Sequence, residues 1–296
     1  MRDLWQKPLA AYIHFVFLRY PNPQQTTDSM IQHIQANGIR IACRIDGPTN
    51  GDSHAPVVVL SNSLMSSHAM WDDTLPALSD RYRVLRYDTR GHGQSQVTPA
   101  PYSIALLAQD LVGLLDALKI QQAHCVGLSM GGMICQYVGA HHPERVLSLG
   151  LCDTASEMPP RSLWEERFAT AHAQGIAGLV DGTIKRWFVG GFIERAPEKI
   201  AAVRSMILAT PVEGYLGCAS AVRDMAQTTM LLKIKAPTLV LVGKQDPACT
   251  VEQSTVLQRM IDGSRMEVID NAAHLSNIEQ PAEFNRILRG FLDSVQ

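Results

Sequence analysis

The chain alternates short apolar runs with longer segments in which apolar residues recur at helical spacing. The short runs are rich in β-branched residues and bounded by turn residues, which is typical of buried strands. We predict strands at Pro56–Ser61, Tyr82–Tyr87, Ala123–Leu128, Val146–Cys152, Pro237–Val242 and Met266–Ile269. Helical spacing predicts helices at Tyr102–Leu118, Met130–His141 and Ala282–Val295. Apolar strands that alternate with helices favour an α/β fold with a mostly parallel, doubly wound sheet covered on both faces.

This alternation is interrupted once. Residues 155–230 keep helical periodicity but contain no clear strand pattern, and the alternation of strands and helices resumes after them. We interpret this interruption as a helical cap inserted into the sheet. The cap divides the predicted core into residues 30–154 and 231–296.

The first 29 residues differ from the rest of the chain. Residues 8–18 are apolar but too few to span a bilayer, Arg19 ends the run, and no small-x-small cleavage site follows. A linker-like segment rich in proline and polar residues then precedes Met30, which opens an alternating strand–turn–strand pattern. We interpret residues 1–29 as an appendage or linker, or as the product of an upstream start site. A chain truncated to begin at Met30 should therefore fold.

Composition narrows the functional classes. Of 296 residues, 46% are hydrophobic and 18% are charged, with a formal net charge of −2, which is ordinary for a well-packed globular protein. No run of lysine and arginine offers a basic surface, so we expect no nucleic-acid partner, and we expect no membrane span. The six cysteines are scattered without a CxxC pair, which argues against a metal centre and favours a reducing, cytoplasmic setting. No nucleotide-binding glycine loop is present in the sequence, and we predict no cofactor.

The segment Gly-Leu-Ser-Met-Gly-Gly at residues 127–132 follows a predicted strand and opens a predicted helix. A serine on such a sharp turn has a strained backbone, and neighbours with a Cβ atom would collide, which explains the glycines. The N-terminus of the following helix places a partial positive charge beside it. We therefore predict that Ser129 is a nucleophile rather than an incidental residue of a glycine turn.

A serine nucleophile needs a general base, and the base needs an acid that orients it. In enzymes with this strand–serine–helix turn, the chain order is serine, acid, histidine, and the last two lie in loops beyond the carboxyl ends of strands. Asp246 and His274 follow the last two predicted strands and fit this order. Asp153, which follows the strand after the serine, is an alternative acid. The predicted triad is Ser129, Asp246 and His274.

The oxyanion of an acyl-transfer intermediate needs two backbone N–H donors. We predict one donor at Met130, directly after the serine. The other should come from the loop after the first buried strand, which often reads His-Gly in such enzymes but reads Ser-Asn-Ser-Leu here, at residues 61–64. Alignment on the downstream Met-Trp-Asp puts Leu64 at the donor position. Asn62 and Ser63 then occupy the His-Gly positions, where their side chains can brace the loop.

Several segments carry a resemblance to one family. They are Ser-Asn-Ser-Leu (61–64), Met-Trp-Asp (70–72), Arg-Tyr-Asp-Thr-Arg-Gly-His-Gly (86–93), Gly-Leu-Ser-Met-Gly-Gly (127–132), Arg-Trp-Phe (186–188), Thr-Pro-Val-Glu-Gly-Tyr (210–215) and Ala-His-Leu-Ser-Asn-Ile-Glu-Gln-Pro (273–281). Together they closely resemble the 3-oxoadipate enol-lactonases, α/β-hydrolase-fold enzymes of aromatic-compound catabolism. The serine turn is shared with many esterases, whereas the first and last segments are more specific. The likeness covers about residues 30–296.

The resemblance implies an α/β-hydrolase fold and a small-molecule lactone substrate, 3-oxoadipate enol-lactone, which is hydrolysed to 3-oxoadipate. Two features depart from the family: Met65 stands where glycine is usual, and residues 1–29 have no counterpart. The acetate arm of this lactone implies a cation in the pocket, and the sequence does not rank the candidates. They are Arg161, Arg167, Arg186 and Arg223.

We assign five residues to the substrate pocket. They are Asn62, Met65, Arg167, Arg186 and Trp187. Two rival functions stay open at this point. One is a general carboxylesterase or a hydrolase of C–C bonds, which would use the same triad and cap. The other is a ligand-binding scaffold that keeps the triad without turnover.

Overall fold

The computed structural model describes residues 30–48, 50–158 and 160–295, so the predicted appendage at residues 1–29 lies outside the described residues. An eight-stranded sheet forms the centre of the fold. Its strands are β1 (Gln32–Ala36), β2 (Ile39–Asp46), β3 (Val57–Ser61), β4 (Arg83–Tyr87), β5 (Ala123–Leu128), β6 (Val146–Cys152), β7 (Thr238–Gly243) and β8 (Arg265–Ile269). They lie in the order β1-β2-β4-β3-β5-β6-β7-β8, and only the β1–β2 and β2–β4 pairs are antiparallel. The mostly parallel α/β fold predicted from the sequence is confirmed.

The apolar pattern of the strands matches their place in the sheet. Every residue of β3, β5 and β7 is buried, because helices cover both faces of the sheet. The edge strand β8 exposes more of its side chains, and Val268 is 42% exposed. The six strands predicted from residue 56 onward are all present, with ends that differ from the prediction by at most one residue.

Ten α-helices connect the strands in the described ranges. They are α1 (Ile104–Ala117), α2 (Met130–His141), α3 (Arg161–Gln174), α4 (Ala177–Trp187), α5 (Gly190–Arg195), α6 (Pro197–Leu208), α7 (Val212–Asp224), α8 (Val251–Met260), α9 (Ser276–Glu279) and α10 (Pro281–Ser294). The first begins two residues later than predicted, because the Ser103 hydroxyl accepts the Leu106 N–H and caps it. In the part of the chain that the structure describes, no helix has both the length and the apolar character to cross a bilayer.

Helices α3 to α7 fill the segment between β6 and β7. Within it, α3 packs against α4 and α7, and α4 packs against α6. The chain enters and leaves this segment side by side, since Glu157 and Ala226 form an antiparallel bridge. The 3-10 helix Thr228–Lys233 packs against α2 and α8 and so already belongs with the sheet layer. We refer to α3–α7 as the cap.

The carboxyl ends of the parallel strands meet at one edge of the sheet. The loops that leave this edge carry the residues singled out from the sequence. They are Leu64 after β3, Ser129 after β5, Asp153 after β6, Asp246 after β7 and His274 after β8. The topology therefore brings together groups that lie far apart in the chain.

Candidate active site

Ser129 lies at the turn from β5 into α2 with φ 56° and ψ −118°, a left-handed conformation that is costly for a residue with a side chain. The flanking glycines allow the turn to pack against neighbouring main chain, because they carry no Cβ atom. A Cβ atom on Gly127 would lie 2.2 Å from the carbonyl carbon of Gly131, and one on Gly131 would lie 2.1 Å from the Ser61 carbonyl oxygen. The Ser129 N–H donates to the Cys152 carbonyl at 2.9 Å, which anchors the strained residue to β6.

His274 is oriented by Asp246. The Nδ1 atom of His274 lies 2.8 Å from Asp246 Oδ2, and both residues are almost fully buried. The other oxygen, Asp246 Oδ1, accepts the N–H groups of Ala248 at 2.7 Å and Cys249 at 3.0 Å. Because Nδ1 faces the carboxylate, Nε2 is the nitrogen left to take a proton from a nucleophile.

Three groups act on the basicity of His274. Burial lowers its pKa, but the charge and hydrogen bond of Asp246 outweigh burial and raise the pKa above its usual range. Asp153, when it is ionised, acts in the same direction as Asp246, whereas the positive charge of Arg186 opposes them. A histidine with this pKa is a stronger base once it is neutral.

The alternative acid, Asp153, has other partners. Its Oδ1 accepts the Gly243 N–H at 2.7 Å, and its Oδ2 accepts the Ser276 hydroxyl at 2.5 Å. Burial, followed by the negative charge of Asp246, raises the pKa of Asp153 to about 8. A carboxyl that is neutral at pH 7 is a poor partner for an imidazolium. The carboxylate that accepts the hydrogen bond of His274 Nδ1 is that of Asp246.

Two backbone N–H groups border the serine. Met130 is the first residue of α2, so its N–H has no carbonyl one helical turn earlier to bond. Leu64 lies in the loop after β3 and lines the same cavity as Ser129. Among the described residues, neither N–H has a hydrogen-bond acceptor. Both are therefore available to an oxyanion on a group attached to Ser129.

Asn62, which we assigned to the substrate pocket, is not among the residues that line the cavity in the described structure. Its amide nitrogen donates to the Tyr87 carbonyl at 2.6 Å, and its oxygen accepts the Trp71 indole N–H at 3.0 Å. Both ends of the amide are thus engaged behind the loop, where Asn62 is fully buried. It braces the loop that carries Leu64.

His92, which belongs to the segment 86–93 of the family resemblance, braces the same loop. The Met65 N–H donates to His92 Nε2 at 2.9 Å, and His92 Nδ1 lies 3.3 Å from the Arg90 carbonyl. Burial lowers the pKa of His92 to about 4, so the ring is neutral and can accept the bond. Met65 itself has φ 63°, a conformation that glycine adopts more readily.

A cavity of about 240 Å³ opens in front of Ser129, between the sheet edge and the cap. Its walls include Ser129, His274, Met65, Trp187, Arg167 and Arg186. The Trp187 ring lies 6.3 Å from the His274 ring, centroid to centroid, at an angle of 33°. A small molecule held here would contact the nucleophile, the base and two cationic side chains.

The structure separates the four arginine candidates. The exposed Arg161 and the half-buried Arg223 lie outside the cavity, where both form ion pairs with Asp224, at 2.8 and 2.6 Å. Arg167 and Arg186 line the cavity and are half-buried. Neither of these two forms an ion pair with any carboxylate of residues 30–48, 50–158 or 160–295. The sequence did not rank these arginines, because the choice depends on which helix face meets the sheet edge.

One group of side chains has the composition of a metal site. The ligand atoms of Asp246, Cys249 and His274 lie within 4.8 Å of one another, and all three residues are buried. A metal would need the Cys249 thiolate, but burial and then the charge of Asp246 raise the pKa of this thiol well above its usual range. Since Asp246 and His274 already bond each other, these side chains suit the acid and base of a catalytic triad better than the ligands of a metal ion.

Comparisons with known proteins place this geometry among hydrolases. The family model for the alpha/beta hydrolase fold matches residues 56–281. The chain is 37% identical over 259 residues to 3-oxoadipate enol-lactonase 1 of Acinetobacter baylyi, covering 88% of this chain and 95% of the relative. It is 36% identical to 3-oxoadipate enol-lactonase 2 of the same organism, covering 82% and 91%. The solved enol-lactonase from Burkholderia xenovorans LB400 is 38% identical with a TM-score of 0.86, covering 88% of this chain and 100% of that chain.

Proposed function

Since the chain belongs to the 3-oxoadipate enol-lactonase family of α/β hydrolases, we propose that it opens the ring of 3-oxoadipate enol-lactone to give 3-oxoadipate, with Ser129 as nucleophile. This reaction belongs to the catabolism of aromatic compounds. The observation that carries the proposal is one cavity that joins a serine and a buried histidine to two guanidinium groups, which have no carboxylate partner among the residues that the structure describes. A small molecule with both an ester bond and a carboxylate fits this cavity, because the ester would face the serine and histidine and the carboxylate would face the guanidinium groups.

The first half of the reaction forms an acyl-enzyme. His274 Nε2 takes the hydroxyl proton as Ser129 Oγ attacks the lactone carbonyl carbon, and Asp246 stabilises the imidazolium through Nδ1. The N–H groups of Leu64 and Met130 stabilise the tetrahedral oxyanion. The carbonyl C–O bond of the ring then breaks, and the departing enolate oxygen takes from His274 Nε2 the proton that came from Ser129, which leaves an acyl-enzyme with an enol and a neutral His274. An enolate is a better leaving group than an alkoxide, so this step needs little help from an acid.

The second half releases the product. Water attacks the acyl carbon while His274 takes its proton, and the bond to Ser129 Oγ breaks as the serine regains a proton. The freed acid and the enol leave together as one molecule, because the ring had joined them. The enol then takes a proton at carbon and becomes the ketone. Loss of one oxyanion donor typically costs about 3 kcal/mol of transition-state stabilisation, so loss of the nucleophile should be the more severe defect.

The two cavity arginines support a substrate that carries a negative charge. Burial, followed by the positive charge of Arg167, lowers the pKa of Arg186. Arg167 is held by the Tyr215 hydroxyl at 3.1 Å and by the faces of the Trp164 and Tyr215 rings, at 5.6 and 5.8 Å. Two like charges in a half-buried site repel each other, and an anion between them removes that cost. The acetate arm of the enol-lactone is such an anion.

The six cysteines support the proposal of a cytoplasmic location. All are free and buried in the structure. Free thiols persist in compartments that glutathione and thioredoxin keep reduced.

The decisive experiment follows the loss of ultraviolet absorbance of 3-oxoadipate enol-lactone with the wild-type protein and with Ser129→Ala. We expect rapid loss with the wild type and a decrease of roughly 10⁴-fold or more in kcat for the variant. If the wild type cleaves aryl esters through Ser129 but leaves the lactone intact, the protein is a carboxylesterase of the same fold and the substrate proposal is wrong. If neither substrate is turned over, a ligand-binding role replaces the enzymatic one.

A further inference from the structure

A buried carboxylate lies behind His274 and joins it to the cap. Glu279, the last residue of α9, is 4% exposed. Its Oε2 accepts the N–H of Ala273, the residue before His274, at 2.7 Å. Its Oε1 accepts the N–H of Val189, two residues beyond the end of α4, at 2.9 Å. One side chain therefore bonds the main chain of the His274 loop and the main chain of the cap.

Further contacts join the His274 loop to the cap. The Leu275 N–H donates to the Trp187 carbonyl at 3.2 Å, so the residues on both sides of His274 are tied to the segment 187–189. Trp187 also faces the His274 ring. Arg186, the half-buried cavity arginine, directly precedes Trp187 in the chain. The end of α4 thus carries a cavity cation on one side and holds the His274 loop on the other.

Glu279 has no cation of its own to explain its burial. In the described part of the chain, it forms no ion pair within 4.0 Å, and it does not line the cavity. Burial raises its pKa, and only the two backbone N–H groups and the more distant Arg195 oppose that effect. A buried carboxylate is costly unless its hydrogen bonds are used. Here both of its oxygens are used to connect two segments of main chain.

We propose that Glu279 is a positioning residue that fixes His274 relative to the Arg186–Trp187 end of the cap. A substrate whose carboxylate is held by Arg186 then presents its carbonyl carbon at a set distance from Ser129 and His274. Small neutral esters have no charged arm and do not depend on this distance. The inference rests on the proposed function, since it assumes that the substrate carries a carboxylate that the cap binds.

One substitution breaks this connection at the cap. Val189 has φ −67° and ψ 146°, and Phe188 before it is extended at φ −135° and ψ 147°, so proline fits at position 189 without a change of backbone. Val189→Pro removes the N–H that Glu279 Oε1 accepts and puts the proline Cδ atom in the place of that hydrogen, so the Glu279 carboxylate is displaced from the cap. Glu279→Gln is the second variant, in which the amide group faces one of the two N–H donors and loses that bond.

The test measures kcat and KM of each variant for 3-oxoadipate enol-lactone and for 4-nitrophenyl acetate. We expect Val189→Pro to lower kcat/KM for the lactone roughly 10- to 100-fold, since a misplacement of about 1 Å costs on that order, and to leave the neutral ester within about threefold. The loss for the lactone should disappear in an Arg186→Met background, because the arm is no longer held. If Glu279 served stability alone, the substitutions would lower kcat/KM equally for both substrates, and this loss would be the same with and without Arg186.

The matched control is Lys199→Met, which removes an exposed ion pair between the cap and Asp73 away from His274. This variant should leave the ratio of kcat/KM for the lactone to kcat/KM for the ester unchanged. The inference is overturned if folded Val189→Pro and Glu279→Gln keep the wild-type ratio, or if their losses are the same with and without Arg186. Failure of the wild type to cleave the lactone would overturn the proposed function and this inference together, whereas wild-type cleavage with an unchanged ratio in both variants overturns this inference alone.

Discussion

The sheet edge and the cap form opposite sides of one cavity, and they are built differently. On the sheet side, Asp246 is fixed by two backbone N–H groups and Ser129 by a glycine turn that no other residue fits. On the cap side, Arg167 is held by ring faces and a tyrosine hydroxyl, and Arg186 is half-buried with no ion-pair partner among the described residues. The difference suggests that the sheet side sets the reaction and the cap side sets which acyl group reaches it.

Substitution of Asp246 should give the largest effect after loss of the serine. In Asp246→Asn, the amide no longer stabilises the imidazolium and can turn its NH₂ toward Nδ1. We expect kcat to fall roughly 10³- to 10⁴-fold for the lactone and for 4-nitrophenyl acetate alike. Steady-state kinetics with both substrates checks this. Asp270→Asn is the control, because Asp270 is exposed at the same sheet edge and its side chain bonds only Lys244, at 2.7 Å, within the described ranges.

A smaller and selective effect is expected on the cap side. Arg186→Met should lower kcat/KM for the lactone by about 10- to 150-fold, the equivalent of about 1.5–3 kcal/mol for a hydrogen bond to a charged group. The neutral ester should change little. Arg223→Met is the matched control, since Arg223 is also a half-buried arginine of the cap but is paired with Glu165 and Asp224 outside the cavity. Equal losses for both substrates would contradict the division of roles between the two sides.

The sequence predicted these two sides to different extents. The loops after β5, β7 and β8 could be identified because strand order fixes where a loop leaves a parallel sheet. The choice between Arg167, Arg186 and the surface arginines depends on how five helices pack, which periodicity does not encode. The roles of His92 and Glu279 were missed for a similar reason, because their partners lie 27 and 90 residues away in the chain. Asn62 was assigned to the pocket because the sequence does not show that Tyr87 and Trp71 occupy its amide.

The pH dependence of kcat/KM should show how Asp246, on the sheet side, controls His274. In the proposed mechanism His274 must be neutral to accept the serine proton, so kcat/KM should fall as the pH drops through the pKa of His274. Because Asp246 raises that pKa, we expect the acid limb of the wild-type profile to lie above about 6.5, with a loss of about tenfold per pH unit below it. Without the Asp246 charge, burial dominates, and the limb in Asp246→Asn should move to lower pH. A limb at the same pH in both proteins would show that Asp246 does not set the basicity of His274.

The smallest effect on activity is expected at Asp153, although it is buried beside the same groups. Its pKa of about 8 means that the carboxyl is neutral at pH 7, and asparagine can keep the bond from Gly243 and donate to Ser276. Asp153→Asn should therefore keep kcat within about threefold at pH 7.

The free energy of unfolding should respond more to the same substitution. A pKa raised from 3.8 to about 8 means that the folded wild type binds a proton that the unfolded chain has lost, so its free energy of unfolding falls as the pH rises through that window. The stability of Asp153→Asn relative to the wild type should thus increase from pH 5 to pH 8 in urea unfolding, while Asp270→Asn shows no such trend. A difference that does not vary with pH would mean that Asp153 is ionised in the folded protein, and the sheet side would then hold two charged carboxylates.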